Sequence, residues 1–189
     1  MPFKKTNISG LIVFEPKIWR DERGYFYESY NEQTFKEAGI TTRFVQDNQS
    51  LSTYGVLRGL HYQVPPFAQA KLVRVLKGEV LDVALDIRPN SATYGHWFSI
   101  RLSGENKKQL FIPRGFAHGF VVMSDIAVFS YKCDNFYSKA HDAGILYNDS
   151  KLNIDWEIGS EAVILSEKDL IQPVFGEHIL FPAKNMAND

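Results

Sequence analysis

Apolar and polar residues alternate in short segments along most of the first 133 residues, a pattern typical of half-buried β-strands. The clearest segment is 80–88. Its large apolar side chains would share one face of a strand: Leu81, Val83, Leu85 and Ile87. Its charged side chains would share the other: Asp82, Asp86 and Arg88. We therefore predict a β-strand here.

Similar segments recur at intervals of roughly 8–12 residues, with turn-forming residues between them. They cover residues 11–14, 25–30, 72–76, 97–102, 109–112, 120–123 and 127–133. Such a series predicts an all-β sandwich or barrel. A helix is predicted over 31–39, because Asn31 can cap its start and Gly39 can end it. Ser166 and Asp169 resemble the capping box of a second, shorter helix.

Length and composition narrow the class of protein. With 189 residues and 14% aromatic residues, we predict a single domain over 1–189, with a barrel core at about 45–135 and the chain ends packed on it. A net charge of −1 gives no reason to expect nucleic acid or an anionic membrane as a partner. Since Cys133 is the single cysteine and no apolar signal or membrane-spanning run is present, we expect a cytoplasmic protein.

Two glycine-punctuated segments, 55–63 and 112–120, each contain a histidine. Their spacing is similar to that of the two halves of a cupin, so we predict an all-β cupin or jelly-roll β-barrel with short peripheral helices. Metal-binding cupins have a second histidine and a glutamate where this chain has Gln63 and Lys71. Because an ammonium group repels a cation, we expect no metal. A buried histidine near a lysine indicates proton chemistry on an organic substrate instead.

Two of the candidate side chains lie in the first of these segments. His61 is either a satisfied core histidine or a base whose neutral form nearby cations favour. Arg58 and His61 fall on opposite faces of an ideal strand. Both can point inward only if a bulge lies between them, which Gly59 would permit.

Three further candidates each fit two interpretations. Lys71 is either an edge-strand lysine that discourages aggregation or a cation that stabilises an enolate oxygen. Tyr131, which shares a strand face with Phe129 and Cys133, is either a core tyrosine or a proton donor or acceptor at the pocket. Asp169 needs no role beyond the capping box.

Motifs in order along residues 10–181 resemble those of the dTDP-4-dehydrorhamnose 3,5-epimerases. They lie at 21–28, 46–50, 55–63, 69–73, 78–83, 112–120, 131–133 and 165–169. The resemblance implies a substrate with a 4-keto-6-deoxy sugar on deoxythymidine diphosphate. The protons at carbons 3 and 5 flank the ketone, so the removal of either gives an enolate, and neither a metal nor an organic cofactor is expected.

The resemblance also assigns roles to residues. His61 would be the general base, Asp169 its orienting partner, Lys71 the group on the enolate oxygen, and Tyr131 the proton donor on the opposite face. The substrate-binding positions would be Arg23, Phe26, Glu28, Gln46, Asp47, Asn48, Arg58, His118, Asp142 and Lys168. It further implies a homodimer in which an N-terminal strand reaches the partner's site, so that Arg23, Phe26 and Glu28 act across the interface.

One segment departs from the family pattern. Residues 137–142 lack the usual proline, and Asp142 replaces a longer glutamate, so we expect the loop over the sugar to be arranged differently. Three rival functions remain open at this point: an enzyme that inverts one carbon or isomerises the ketone, a non-catalytic sugar-nucleotide-binding cupin, and a metal-dependent cupin oxygenase. The missing metal ligands disfavour the last.

Overall fold

The computed structural model describes residues 2–182, and short β-strands dominate it. The strands are β1 Phe3–Lys5, β2 Ile12–Phe14, β3 Trp19–Asp21, β4 Gly24–Phe26, β5 Gln46–Thr53, β6 Leu57–Gln63, β7 Lys71–Lys77, β8 Glu79–Asp86, β9 Trp97–Ser103, β10 Gln109–Ile112, β11 Phe116–Val122, β12 Ile126–Cys133 and β13 Asp142–Gly144. The helices are α1 Glu32–Glu37 and α2 Glu167–Leu170. Single 3₁₀ turns lie at Lys139–His141 and Ser160–Ala162.

Two antiparallel sheets pack face to face. One has the strand order β1-β2-β10-β7-β12-β5, and the other has the order β13-β6-β11-β8-β9. Strands β3 and β4 form a separate hairpin. The prediction of an all-β jelly-roll fold with short helices is confirmed. Among the described residues the hydrogen-bonded ladders stay within each sheet, so the strands form a sandwich and not a closed barrel.

Three apolar clusters hold these layers together. The inner cluster joins the two sheets and includes Val73 of β7, Phe129 of β12 and Phe120 of β11. A second cluster covers the outer face of the five-stranded sheet with C-terminal residues such as Trp156. The third lies beneath α1 and contains Phe35. The five-stranded sheet is therefore covered on both faces, whereas the outer face of the six-stranded sheet is covered near α1 and exposed at β5. A polar side chain that enters the interior between the sheets needs a partner.

Strand β8 follows from this layering. Leu81 and Val83 lie in the outer cluster, whereas Val80 and Ala84 lie in the inner one. The charged face of the alternating pattern is thus the sandwich interior, and Asp82 is fully buried there. Alternation alone does not reveal this, because the outer face is covered by a segment distant in sequence.

Strand β6 carries the predicted bulge. His61 pairs with His118 of β11, and Arg58 pairs with Phe120, so three steps along β6 match two steps along β11. Gly59 lies within this irregularity at φ +125°, which a residue without a Cβ adopts at little cost. The bulge lets the side chains at 58 and 61 share one face.

The N-terminal region agrees with the sequence in part. Helix α1 begins after Asn31, whose side chain accepts hydrogen bonds from the first turn, and Gly39 follows its end at φ +86°. The predicted strand over 25–30 is wrong beyond Phe26, because its partner β3 supplies only three residues to pair with. The resulting hairpin leaves the side chains of Trp19 and Phe26 exposed, by 49% and 70%.

Strands outside 45–135 also join the sheets: β1 and β2 extend one sheet, and β13 extends the other. The predicted domain 1–189 includes residues 1 and 183–189, which lie outside the described residues. Within residues 2–182, no helix has the length and apolar character needed to cross a membrane.

Candidate active site

His61 and Asp169 meet in the structure although 108 residues separate them in the sequence. Nε2 of His61 lies 2.5 Å from Oδ1 of Asp169. The aspartate side chain is 3% exposed, and the histidine side chain is 29% exposed. The hydroxyl of Ser166 donates to the other carboxylate oxygen at 2.8 Å. A carboxylate in this place accepts a hydrogen bond from the Nε2–H of His61. The other ring nitrogen, Nδ1, is then free to accept a proton.

The charge state of Asp169 supports this assignment. Burial by itself would raise the pKa of Asp169, but the hydrogen bond and charge of His61, the Ser166 hydroxyl and the ammonium of Lys168 together hold it below its usual value of 3.8. Asp169 is therefore ionised at neutral pH. Its backbone N–H also donates to Ser166 Oγ, as the capping box predicted, so Asp169 both takes part in the cap of α2 and holds the imidazole.

Lys71 and Tyr131 project between the sheets from adjacent strands. Nζ of Lys71 lies 5.8 Å from the centre of the Tyr131 ring. Because β7 lies between β10 and β12, the interpretation of Lys71 as an edge-strand lysine is wrong. Burial lowers the pKa of Lys71 below 10.5, and nearby acidic groups such as Asp142 and Asp82 oppose this only in part. Burial raises the pKa of Tyr131 above 10.0.

His118 forms a second histidine–carboxylate pair inside the sandwich. Its Nε2 lies 2.8 Å from Oδ2 of Asp82, and both side chains are buried. Burial lowers the pKa of His118 below 6.5, and the charges of Lys71 and His61 act in the same direction. His118 is therefore neutral at pH 7 and lies close to two of the predicted catalytic residues, Lys71 and His61.

Strand β5 supplies two of the predicted contact residues to the interior. Gln46 and Asn48 face inward, and their side chains are hydrogen-bonded at 3.1 Å. Arg58 also points inward, since its guanidinium donates twice to Ser52 Oγ, each time at 3.2 Å. The side chain of Asp47 points to the opposite face, because it lies between these inward residues on the same strand.

Three further predicted residues also lie outside this group within the single chain. Arg23 forms an exposed ion pair with Asp21 at 2.5 Å. Phe26 is exposed on the hairpin, and Glu28 accepts a hydrogen bond from Asn31 in the segment before α1. Their contacts place them on the N-terminal hairpin and the segment that follows it.

One carboxylate oxygen of Asp142 contacts two neighbouring side chains. Its Oδ2 accepts a hydrogen bond from the Tyr137 hydroxyl at 3.0 Å and forms an ion pair with Lys168. Asp142 begins β13, which pairs with β6, and Lys168 precedes Asp169 on α2. The structure therefore brings Asp142 and Lys168 together beside the His61–Asp169 pair.

Asp82, Gln63 and Tyr137 were not predicted as site residues. The alternating pattern identifies Asp82 only as a polar residue. Gln63 is notable in the sequence only because it occupies a position where metal-binding cupins have a histidine. Tyr137 stood in the segment that departs from the family pattern. Within residues 2–182, no group of three His, Cys, Asp or Glu side chains is arranged to hold a metal ion.

Comparison with known proteins decides the family. The model of the family described as dTDP-4-dehydrorhamnose 3,5-epimerase matches residues 5–177. The chain belongs to this family. A dTDP-4-dehydrorhamnose 3,5-epimerase from Shigella flexneri is 56% identical over 167 residues, which cover 88% of this chain and 91% of that protein.

Solved structures of the epimerase family have the same fold. The dTDP-4-dehydrorhamnose 3,5-epimerase from Elizabethkingia anophelis superposes with a TM-score of 0.89 at 56% identity, covering 92% of this chain and 95% of that one. A dTDP-6-deoxy-D-glucose-3,5-epimerase from Legionella pneumophila, solved in complex with dTDP-4-keto-L-rhamnose, gives a TM-score of 0.88 at 53% identity and covers 91% of each chain.

Proposed function

We propose that this epimerase-family chain converts dTDP-4-dehydro-6-deoxy-D-glucose to dTDP-4-dehydro-L-rhamnose by inverting carbons 3 and 5. The observation that carries the proposal is the 2.5 Å contact between His61 and an ionised Asp169, close to the half-buried side chains of Lys71 and Tyr131. The Legionella relative bound to dTDP-4-keto-L-rhamnose supports the choice of substrate class.

In the proposed mechanism, Nδ1 of His61 removes the proton from the carbon beside the ketone. The C–H electron pair moves into the carbonyl and gives an enolate, whose oxygen is stabilised by the ammonium of Lys71. The Tyr131 hydroxyl then donates a proton to the opposite face of the same carbon, which inverts it. Exchange with water returns a proton to Tyr131 and removes one from His61, and the cycle repeats at the second carbon.

The substrate itself supplies the electron sink in this reaction. Proton transfer and stabilisation of one negative oxygen are then the tasks left to the protein, and we propose that it works without a metal or an organic cofactor. The polar side chains at the remaining predicted positions around the His61–Asp169 pair would hold the sugar and the diphosphate: Gln46, Asn48, Arg58, His118, Asp142 and Lys168. Arg58 is suited to a diphosphate because its guanidinium is planar and presents several donors.

The proposed function is tested by proton NMR of the 4-keto-6-deoxyglucose nucleotide in deuterated water. We expect deuterium to enter at both carbon 3 and carbon 5, with an unchanged rate when EDTA is added. Tyr131→Phe is the informative variant: because His61 still removes the proton, exchange should persist while net inversion falls by about 10²-fold or more.

Each other outcome of this NMR experiment removes part of the proposal. Exchange at one carbon alone would assign a single-site epimerase and direct attention to Asp142. A loss of rate with EDTA would contradict metal-free catalysis. Tight nucleotide binding without any exchange would leave a sugar-nucleotide-binding protein.

We also propose that the active form is a homodimer in which the β3–β4 hairpin reaches the partner's site. The exposed aromatic side chains of Trp19 and Phe26 support this, since such groups are usually covered in the functional assembly. In this arrangement Arg23, Phe26 and Glu28 complete the site of the other subunit. Each site would then need residues from two chains.

Mixing two inactive variants tests this arrangement. Arg23→Ala and His61→Asn are purified separately and then mixed under conditions that allow subunit exchange. If Arg23 acts across the interface, random pairing restores about a quarter of the wild-type sites. Activity should rise accordingly, with a mass in solution of twice 21.6 kDa by ultracentrifugation. Absence of recovery in a mixture shown to exchange subunits would place Arg23 in its own chain's site.

A further inference from the structure

The side-chain amide of Gln63 lies in the interior of the protein, where both of its N–H groups and its oxygen form hydrogen bonds to the backbone. The residue is 5% exposed and points to the same side of β6 as His61. Its Nε2 donates to the carbonyl oxygens of Phe67 at 2.9 Å and Phe136 at 3.3 Å. Its Oε1 accepts from the N–H of Ser138 at 2.6 Å. Two donors and one acceptor thus meet three backbone groups in two different segments.

One of these segments is the rim loop, residues 134–141, which leads from β12 to β13. Gln63 binds the residues on both sides of Tyr137, whose own N–H donates to Gln46 Oε1 at 3.2 Å. The Tyr137 hydroxyl then reaches Asp142 at 3.0 Å. The rim loop is therefore anchored through one buried side chain to the strand that carries His61.

The other segment is 64–70, which contains Phe67 and leads into Lys71 at the start of β7. This segment also meets the rim loop directly, because the Asn135 side chain donates to the carbonyl oxygen of Pro66 at 3.0 Å. Gln63 thus lies between the two loops that flank the site.

We propose that Gln63 is a positioning residue that fixes the rim loop, and with it Tyr137 and Asp142, for binding of the sugar nucleotide. The inference rests on the proposed epimerase function and adds Gln63 to the residues that support it. Glutamine suits the position because a single planar group provides both donors and the acceptor. A carboxylate of the same shape would face two carbonyl oxygens, and an apolar side chain would leave three backbone groups unpaired.

The expected effect falls on substrate binding more than on the chemical step. His61, Lys71 and Tyr131 are held by the ladders of β6, β7 and β12, which Gln63 does not maintain. The rim loop is held by single hydrogen bonds, such as those from Asn135 to Pro66 and from Val64 to His141, and not by a strand ladder. Loosening it should raise KM and leave kcat nearly unchanged.

Gln63→Glu is the main test, because it keeps the shape and the acceptor while it removes the two donors. We expect KM for the sugar nucleotide to rise about tenfold or more, and kcat to change less than about threefold. Gln63→Met buries no charge and is the second variant, for use if Gln63→Glu folds poorly. It should show the same rise in KM. In Gln63→Met, which removes the acceptor as well, the Ser138 amide should also exchange its hydrogen with solvent faster.

Ser124→Ala is the matched control. Ser124 bridges the Glu79 N–H and the Ile126 carbonyl oxygen by two 2.8 Å hydrogen bonds, and it precedes β12, at the end of that strand away from Tyr131. Its loss should lower the Tm while KM stays at the wild-type value. If both Gln63 variants lower the Tm but keep the wild-type KM, Gln63 is merely structural and the inference is overturned.

Binding of dTDP-glucose, which carries a sugar but no ketone, is measured by calorimetry and separates this inference from the proposed function. If the wild type binds dTDP-glucose but exchanges no protons of the 4-keto substrate, the epimerase proposal fails. The positioning of the rim loop is then still judged by dTDP-glucose affinity. We expect about a tenfold loss of affinity in Gln63→Glu, and unchanged affinity in that variant would overturn the inference.

Discussion

Replacement of His61 by asparagine is expected to lower kcat by about 10³-fold while KM changes less than about threefold. Asparagine is polar and smaller than histidine, so β6 can accommodate it without repacking, and Asp169 keeps the Ser166 hydroxyl as a partner. It has no nitrogen that can accept a proton, however, and the first step of both epimerisations is lost. Steady-state kinetics with the 4-keto sugar nucleotide measures both parameters.

Asp169→Asn provides an independent check of the same pair. The amide cannot hold the Nε2–H tautomer of His61 as a carboxylate does, and we expect a loss of about 10²-fold in kcat. His96→Asn is the matched control, because that histidine is exposed and should retain full activity. Retention of more than about a tenth of the wild-type kcat in His61→Asn would exclude His61 as the essential base.

Replacement of Lys71 by methionine should lower kcat by about 10²- to 10³-fold, because the enolate oxygen loses its cation. Burial already disfavours the charged form of Lys71, so methionine removes an unfavourable buried charge. We therefore expect the Tm of this variant to equal or exceed that of the wild type. Calorimetry alongside the kinetics distinguishes loss of chemistry from loss of folding.

The same lysine sets the sign of the alkaline pH dependence. Its pKa is lowered from 10.5, so the ammonium that catalysis needs is lost as the pH rises through that lowered value. Burial raises the pKa of Tyr131 above 10.0, so the loss of its proton is shifted to higher pH than in a free tyrosine. Activity in the wild type should therefore decline at a pH below the ordinary lysine value of 10.5, and the decline should move to higher pH in Lys71→Arg. An unchanged profile in that variant would assign the decline to another group.

Local signals in the sequence predicted local structure well. Asn31 and Gly39 mark the two ends of α1, Ser166 caps α2, and the alternating segments between 72 and 133 coincide with strands β7 to β12. These features depend on residues within a few positions of each other, so the sequence contains the needed information. The bulge at Gly59 was also predictable, because two inward side chains three residues apart require it.

Contacts between distant segments could not be predicted in this way. No local pattern shows that Asp169 would reach His61; the resemblance to the epimerase family suggested that pair. The interior position of Asp82 depends on a C-terminal segment that covers the far face of β8. The bonds of Gln63 join residues up to 75 positions apart, and an amide in a strand carries no sign of which backbone groups it will meet.

The crowding between β6 and β11 limits how this protein can change over generations. A Cβ on Gly59 would lie 2.5 Å from the Cα of Gly119, and a Cβ on Gly119 would lie 2.8 Å from the Arg58 carbonyl oxygen. Each glycine therefore forbids a side chain on the other, and a simultaneous change of both would be worse. Because this contact sets the spacing of His61 and His118, adaptation to a new sugar has little freedom there. It is left to the rim loop and to Asp142, which directly follows it.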